Sequence, residues 1–471
     1  MKQKKYFILA AAAALFAACS SDDTTIEQAQ KQQAPQVPVM FDSYVNRGIT
    51  RSGQAGDQTT ASLQAATSDL TESEGFGVFA YYTNNNDYDL LYTPNFMYNQ
   101  KVWYASSAFT YSPVKYWPNE YGSNAVSDDK DRVSFFAYAP YTPVTPATGK
   151  VEDATWGITG LNRNTSSGDP LVKYIASFDD ISNSVDLCWG VYNETGWNIV
   201  QTGATQTDLV AGKPWLNVQR PADATTAQKL KFTFLHALAK LNVTIDTYAD
   251  GTAAAPVSEP ALTKVYVRSI TFSGFASKGA LNLNNVTANK PYWMDYAGTN
   301  DLVADEITFY DGRKDGKEGV TGAVATNEKV VGLNPTIISN DGNSTVGVTG
   351  TPVNLFRKYA TDKYVAAEPA DAVYIIPTEE EVNVTIVYDI ETKDTNLPNF
   401  LSDGANYGSS IENRITKKIT FTGGSKFEAG KSYTLKLHLG LNSVKFDAEV
   451  TAWTPETAQD VNLPSNTPVT P

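Results

Sequence analysis

Apolar and polar residues alternate in short runs along most of this chain, and the period is two. In Val37-Pro-Val-Met-Phe-Asp-Ser-Tyr-Val45 the side chains of Val37, Val39, Phe41 and Val45 share one face, as in a strand laid half-buried on a core. The same reading gives strands at 75–82, 133–139, 230–245, 264–272, 373–376, 382–388 and 432–439, and a short apolar one at 186–190 that ends at Gly190. The last strand is the most regular. Val444, Phe446, Ala448, Val450 and Ala452 alternate with Lys445, Asp447, Glu449 and Thr451. Gly and Pro are spread between the runs, as frequent turns require, and long helical periods are scarce. The pattern predicts an all-β chain built of antiparallel sandwiches. Pro221 and the polar residues 222–227 divide it, so two tandem β-sandwich domains are expected, 37–228 and 229–453, with a tail at 454–471.

The N-terminus follows a different rule. Lys2, Lys4 and Lys5 precede an apolar run of twelve residues, Phe7 to Ala18. A bilayer-spanning helix takes about 20, so residues 1–18 read as a secretion signal. Small residues lead into Cys19, and Phe16-Ala-Ala-Cys19 looks like a bacterial lipobox. There the thiol takes a diacylglycerol and becomes the mature N-terminus. Ser20-Ser-Asp-Asp23 resembles the export signal of lipoproteins on the outer face of some Gram-negative outer membranes. The alternative is an ordinary cleaved signal with an unmodified Cys19. Residues 19–36 are polar and aperiodic and predict a flexible tether.

Charge and cysteine content narrow the partners. Loss of residues 1–18, with three lysines and no acid, takes the formal net charge from −14 to −17. Nucleic acid and anionic membrane surfaces both need a basic footprint, so neither is expected as a partner. With Cys19 acylated, Cys188 is the remaining thiol, no intramolecular disulfide can form, and stability must come from burial. The chain holds 26 Tyr, 20 Phe and 8 Trp, side chains that favour sheets.

Several short segments, in order along the chain, resemble the fimbrillin family of pilus subunits from Gram-negative anaerobes. They are the lipobox, Met40-Phe41 followed by Thr50-Arg51, Val114-Lys-Tyr-Trp-Pro118, Phe135-Phe-Ala-Tyr-Ala-Pro140, Asp186-Leu-Cys-Trp-Gly190, Phe234-Leu-His-Ala-Leu-Ala-Lys-Leu241, Ile375-Ile-Pro377, Ala429-Gly-Lys-Ser-Tyr433 and Val450-Thr-Ala-Trp453. The resemblance implies two transthyretin-like β-sandwiches, the second opening with the strand around His236. It also implies a surface lipoprotein of the outer membrane that a trypsin-like protease cuts after an arginine behind the first strand. Arg47 and Arg51 both supply such a cut, Arg47 being preferred. The excised strand would leave a groove for the C-terminal strand of another fimbrial subunit, here Val444, Phe446, Ala448, Val450 and Ala452. The alternative for that strand is to close its own second sandwich. An uncut chain would instead serve as a lipid-anchored pilus anchor or a tip.

No enzymatic chemistry is expected. His236 and His438 lie in alternating strands and read as structural. The chain has no His-x-x-x-His, Cys-x-x-Cys, nucleophile elbow or P-loop, so neither a metal nor a cofactor is anticipated. The acidic stretches 84–89 and 128–131 lack EF-hand spacing and read as solvated turns. Cys188, between Leu187 and Trp189, reads as a buried, inert thiol. One rival remains. Tyr88, Tyr92, Phe96, Tyr98, Trp103, Tyr104, Tyr111, Tyr116 and Trp117 would make a sugar-stacking platform if two or three of the rings stood in water, and a core if they did not. That platform would make the chain a surface glycan-binding lipoprotein with a host or microbial receptor.

Overall fold

The structure, a computed structural model, describes residues 37–45, 57–84, 86–117, 131–178, 181–194, 197, 209–221, 229–247, 263–311, 337–339, 353–354, 356–360, 363–366, 371–393, 407–421, 424–439, 444–452 and 459–461. It is nearly all β, as the alternation predicts. The first ten strands are β1 (Phe41–Val45), β2 (Phe76–Asn84), β3 (Met97–Ala105), β4 (Ala108–Thr110), β5 (Arg132–Ala139), β6 (Gly157–Leu161), β7 (Leu171–Ile175), β8 (Cys188–Tyr192), β9 (Trp215–Gln219) and β10 (Leu230–His236). One short helix, α1 (Thr60–Ala65), starts at a reciprocal cap between Thr59 and Ser62 and buries Leu63.

The first sheet runs β1-β10-β8-β5-β2-β3-β4, with β9 alongside β5. Its central strands are covered on both faces, so β2 and β5 bury nearly every residue instead of alternating. One face holds Phe76, Val78, Phe135, Phe232 and Phe234. The other holds Phe79, Tyr81, Phe136, Tyr138 and Trp189, which join a second and larger core. Continuous apolar runs are the signature of strands covered on both sides. Gly190 lies inside β8, not at its end, because β10 passes close by there. A Cβ at Gly190 would sit 2.8 Å from Phe232 Cδ1 and 3.1 Å from Ala137 Cβ. Gly190→Ala is expected to cost about 1–3 kcal/mol by overpacking, read as a lower denaturant midpoint at unchanged slope.

The remaining strands are β11 (Ala239–Thr247), β12 (Thr263–Ala276), β13 (Lys278–Asn282), β14 (Tyr292–Met294), β15 (Asp305–Asp311), β16 (Ile337–Ser339), β17 (Val353–Asn354), β18 (Arg357–Ala360), β19 (Lys363–Ala366), β20 (Val373–Pro377), β21 (Asn383–Lys393), β22 (Tyr407–Lys418), β23 (Lys431–Leu439), β24 (Val444–Ala452) and β25 (Gln459–Val461). The second sheet runs β22-β21-β12-β20-β11-β23-β24-β25. A third sheet, β14-β13-β7-β6, takes strands from both halves of the sequence, so the halves interlock.

The run 230–245 is two strands, not one. It leaves the first sheet after His236 and enters the second at Ala239, turning at Ala237-Leu238, both buried. The change of sheet therefore comes one strand after the division expected at 228/229. Phe232 and Phe234 are needed in the first core beside β1, and Leu241 and Val243 in the larger one. Two pairings depart from the antiparallel expectation: β1 runs parallel to β10, and β11 parallel to β23. Partners so distant in sequence need no hairpin, which leaves their direction free.

Candidate functional site

The first strand is an edge strand bedded in aromatic side chains. Its alternation holds in space: Val37, Val39, Phe41 and Val45 are each 1–3 % exposed. The Phe41 ring lies 5.3 Å from Tyr111, 6.1 Å from both Phe135 and Phe232, and 6.4 Å from Phe76. Each contact is within the range where ring pairs add to area burial.

The strand changes partner midway. Val39 N–H donates to Lys115 O and Trp117 N–H to Val37 O, both at 2.9 Å. The Tyr111 hydroxyl donates to Val39 O at 2.8 Å, and burial pushes its pKa up to about 12, so it stays a donor. From Met40 onward the partner is β10: Leu230 N–H donates to Met40 O at 2.9 Å, and the register continues from Phe41–Leu230 to Val45–Phe234. One element of this strand is poorly served. Ser43 points inward with Phe41 and Val45, and its hydroxyl has no partner among the described residues.

Behind the strand, Val45 N–H donates to Thr60 Oγ1 at 3.1 Å. Asp57, where the described chain resumes, is ion-paired with Lys240 of β11. Val45 and Asp57, the described residues on either side of 46–56, are thus both held by side chains of the folded body. Arg47 and Arg51 lie in that segment, outside the described residues, as does Cys19. The expected donor strand is β24, paired antiparallel with β23 from Leu439–Val444 to Lys431–Ala452, with β25 on its other side. In this chain it is an inner strand of the second sheet, between β23 and β25. Residues 454–458 and 462–471 of the tail lie outside the described part.

The other expected sites resolve by burial. Of the nine aromatic residues expected to form a platform, Tyr116 alone is exposed, at 45 %. Tyr111 and Trp117 are in the core, and Tyr88, Tyr92, Phe96, Tyr98, Trp103 and Tyr104 pack against it. A row of rings open to water is not formed there. His236 is buried, with Nδ1 2.8 Å from Asp186 Oδ2. Cys188, its cross-strand neighbour, has Sγ 3.4 Å from the same nitrogen. Burial, then the charges of Asp186 and Asp57, pushes the Cys188 thiol well up, as suits an inert thiol. The structure adds a cluster with no warning in local sequence, in which Asp57, Asp186, Lys240 and Tyr374 come together from four separate segments. Among the described residues no helix is long and apolar enough to cross a membrane.

A solved fimbrial protein from Bacteroides vulgatus ATCC 8482 superposes with a TM-score of 0.50 at 18 % identity, covering 89 % of this chain and 100 % of that one. At that identity the match speaks for the fold. The family model described as fimbrillin-like matches residues 59–453, and the chain belongs to that family. It is also similar to the fimbrium subunit Fim1C of Phocaeicola vulgatus, 22 % identical over 418 residues, with 86 % of this chain and 88 % of that protein covered.

Proposed function

We propose that this chain is a structural, adhesive subunit of a surface pilus, assembled by removal of its first strand and insertion of a strand from another subunit. The observation behind this reading is the build of β1. It is an edge strand whose apolar side chains occupy a groove lined by Phe76, Tyr111, Phe135 and Phe232, and a segment with two arginines follows it directly. Strand addition uses this kind of edge, since main-chain bonds give affinity and alternate pockets give specificity. The regular alternation of Val444 to Ala452 fits it as the donor. In this reading the chain reaches the outer face of the outer membrane through acylated Cys19 and is released into the fibre by a trypsin-like surface protease acting at Arg47 or Arg51.

The test is the N-terminus and mass of the mature protein taken from cells. A start at Gly48 or Ser52, without lipid, is expected. A start at acylated Cys19 in the assembled fibre would overturn strand removal and leave the chain as an uncut, lipid-held anchor.

A further inference from the structure

The buried cluster behind the 46–56 segment holds the parts of a condensation reaction. Lys240 Nζ lies 2.8 Å from Asp57 Oδ1 and 2.8 Å from Asp57 Oδ2. The two side chains are 11 % and 8 % exposed. An amine 2.8 Å from both oxygens stands in van der Waals contact with the carboxyl carbon that joins them, and such held proximity is what condensation needs. The Tyr374 hydroxyl donates to Asp57 Oδ1. Burial, then the charges of Asp186 and Asp57, holds that hydroxyl far above the ordinary phenol range, so it remains a donor.

A second carboxyl is built into the same place. Asp186 is fully buried. Its Oδ2 accepts the N–H of Gln58, the residue next to Asp57, and faces His236 Nδ1, both at 2.8 Å. Its Oδ1 has no hydrogen-bond partner among the described residues. Buried carboxylate oxygens are nearly always paired, so this open one, in electrostatic reach of Tyr374 as Asp57 is, has acceptor capacity to spare.

We infer that Lys240 and Asp57 condense into an intramolecular isopeptide bond. Passage of one proton from Nζ to the carboxylate across the 2.8 Å contact supplies the amine lone pair that the attack uses. The Nζ lone pair attacks Cγ of Asp57 and forms the C–N bond, while the Tyr374 O–H supports the developing oxyanion. Asp186 takes a proton from Nζ and returns it to the departing hydroxyl. One amide forms and one water leaves, so the balance needs no oxidant, metal or cofactor. The bond fixes the chain directly behind the cleavage segment onto β11 of the second sheet. A new N-terminus at 48 or 52 would then stay covalently held, and tension along a fibre would pass into the second sheet through that link. The reaction itself does not depend on strand exchange, and its test is separate from that of the assembly mechanism.

The experiment is a tryptic digest of the denatured full chain, read by mass spectrometry. The expected product is a branched peptide joining 52–101 to 232–264, one water lighter than its parts, with no cleavage after Lys240. Lys240→Arg keeps the positive charge and must abolish the branched peptide. In Asp186→Asn the branched fraction is expected to fall at least tenfold, and full closure in that variant would overturn the relay. A wild-type digest with free Lys240 ends and no branched peptide would overturn the bond and leave an ordinary buried ion pair.

Discussion

Cutting the chain between 46 and 56 and stripping off residues 37–45 is expected to unfold the first sheet unless a replacement strand is supplied. Val37, Val39, Phe41 and Val45 are all buried, and each contributes about 1.5–3 kcal/mol by burial, roughly 6–12 kcal/mol together. That is comparable to the whole stability of a typical domain, about 5–15 kcal/mol. The loss is not apolar alone. The Leu230 N–H loses Met40 O, the Tyr111 hydroxyl loses Val39 O, and the Trp117 N–H loses Val37 O. Amide exchange on β10 is the direct measurement. Protection at Phe232 and Phe234 should disappear on excision and return when a peptide of residues 37–45 is added. The same peptide with Phe41→Ala should bind weaker by about 3–5 kcal/mol, or some two to four decades in affinity. Retained protection in the stripped protein would show that the groove closes on itself and needs no donor. The unpartnered Ser43 hydroxyl points the other way, toward a resident strand that fits its groove imperfectly, since an unmet buried hydroxyl costs about 1–3 kcal/mol. A donor with an apolar residue at that position would displace it more readily.

How much of this was legible in the sequence depended on distance along the chain. The face of β1 was, because period two within nine residues fixes which side chains point inward. Its change of partner at Met40 was not, because Lys115 and Leu230 are far away and nothing local distinguishes the two halves. The turn at Ala237-Leu238 was hidden for another reason. The chain changes sheets there with both residues buried, so no Gly, Pro or polar residue marks the bend. The aromatic stretch from 88 to 117 shows the limit of composition. The same rings would serve a binding platform or a core, and only their burial decides. His236 as a structural residue agrees with its buried bond to Asp186, but the gathering of Asp57, Lys240 and Tyr374 spans more than three hundred residues. That cluster exists because β11 and β20 are neighbours in the second sheet and Asp57 contacts a side chain from each.

Replacing both arginines should stop assembly without weakening the subunit. An Arg47→Ala, Arg51→Ala chain keeps β1, its groove contacts and the Thr60 and Asp57 anchors on either side, so its unfolding midpoint is expected to match wild type. Assembly should fall to background all the same. Spontaneous release of β1 opposes roughly 6–12 kcal/mol of burial, and at 1.4 kcal/mol per decade the open groove is populated about four to nine decades below the closed one. A donor strand offered at ordinary concentrations meets almost no acceptor. The design becomes decisive when a recognition sequence for an unrelated protease is placed in 46–56 of the double variant. Cutting there should restore fibres seen by electron microscopy, and leaving it uncut should not. Fibres from the uncut variant would mean that β1 leaves without proteolysis, and that the groove reading overstates how firmly Phe41 holds it. Restoration by the foreign protease would separate the need for a cut from the identity of the residue cut, and would place the driving force in the vacated groove itself.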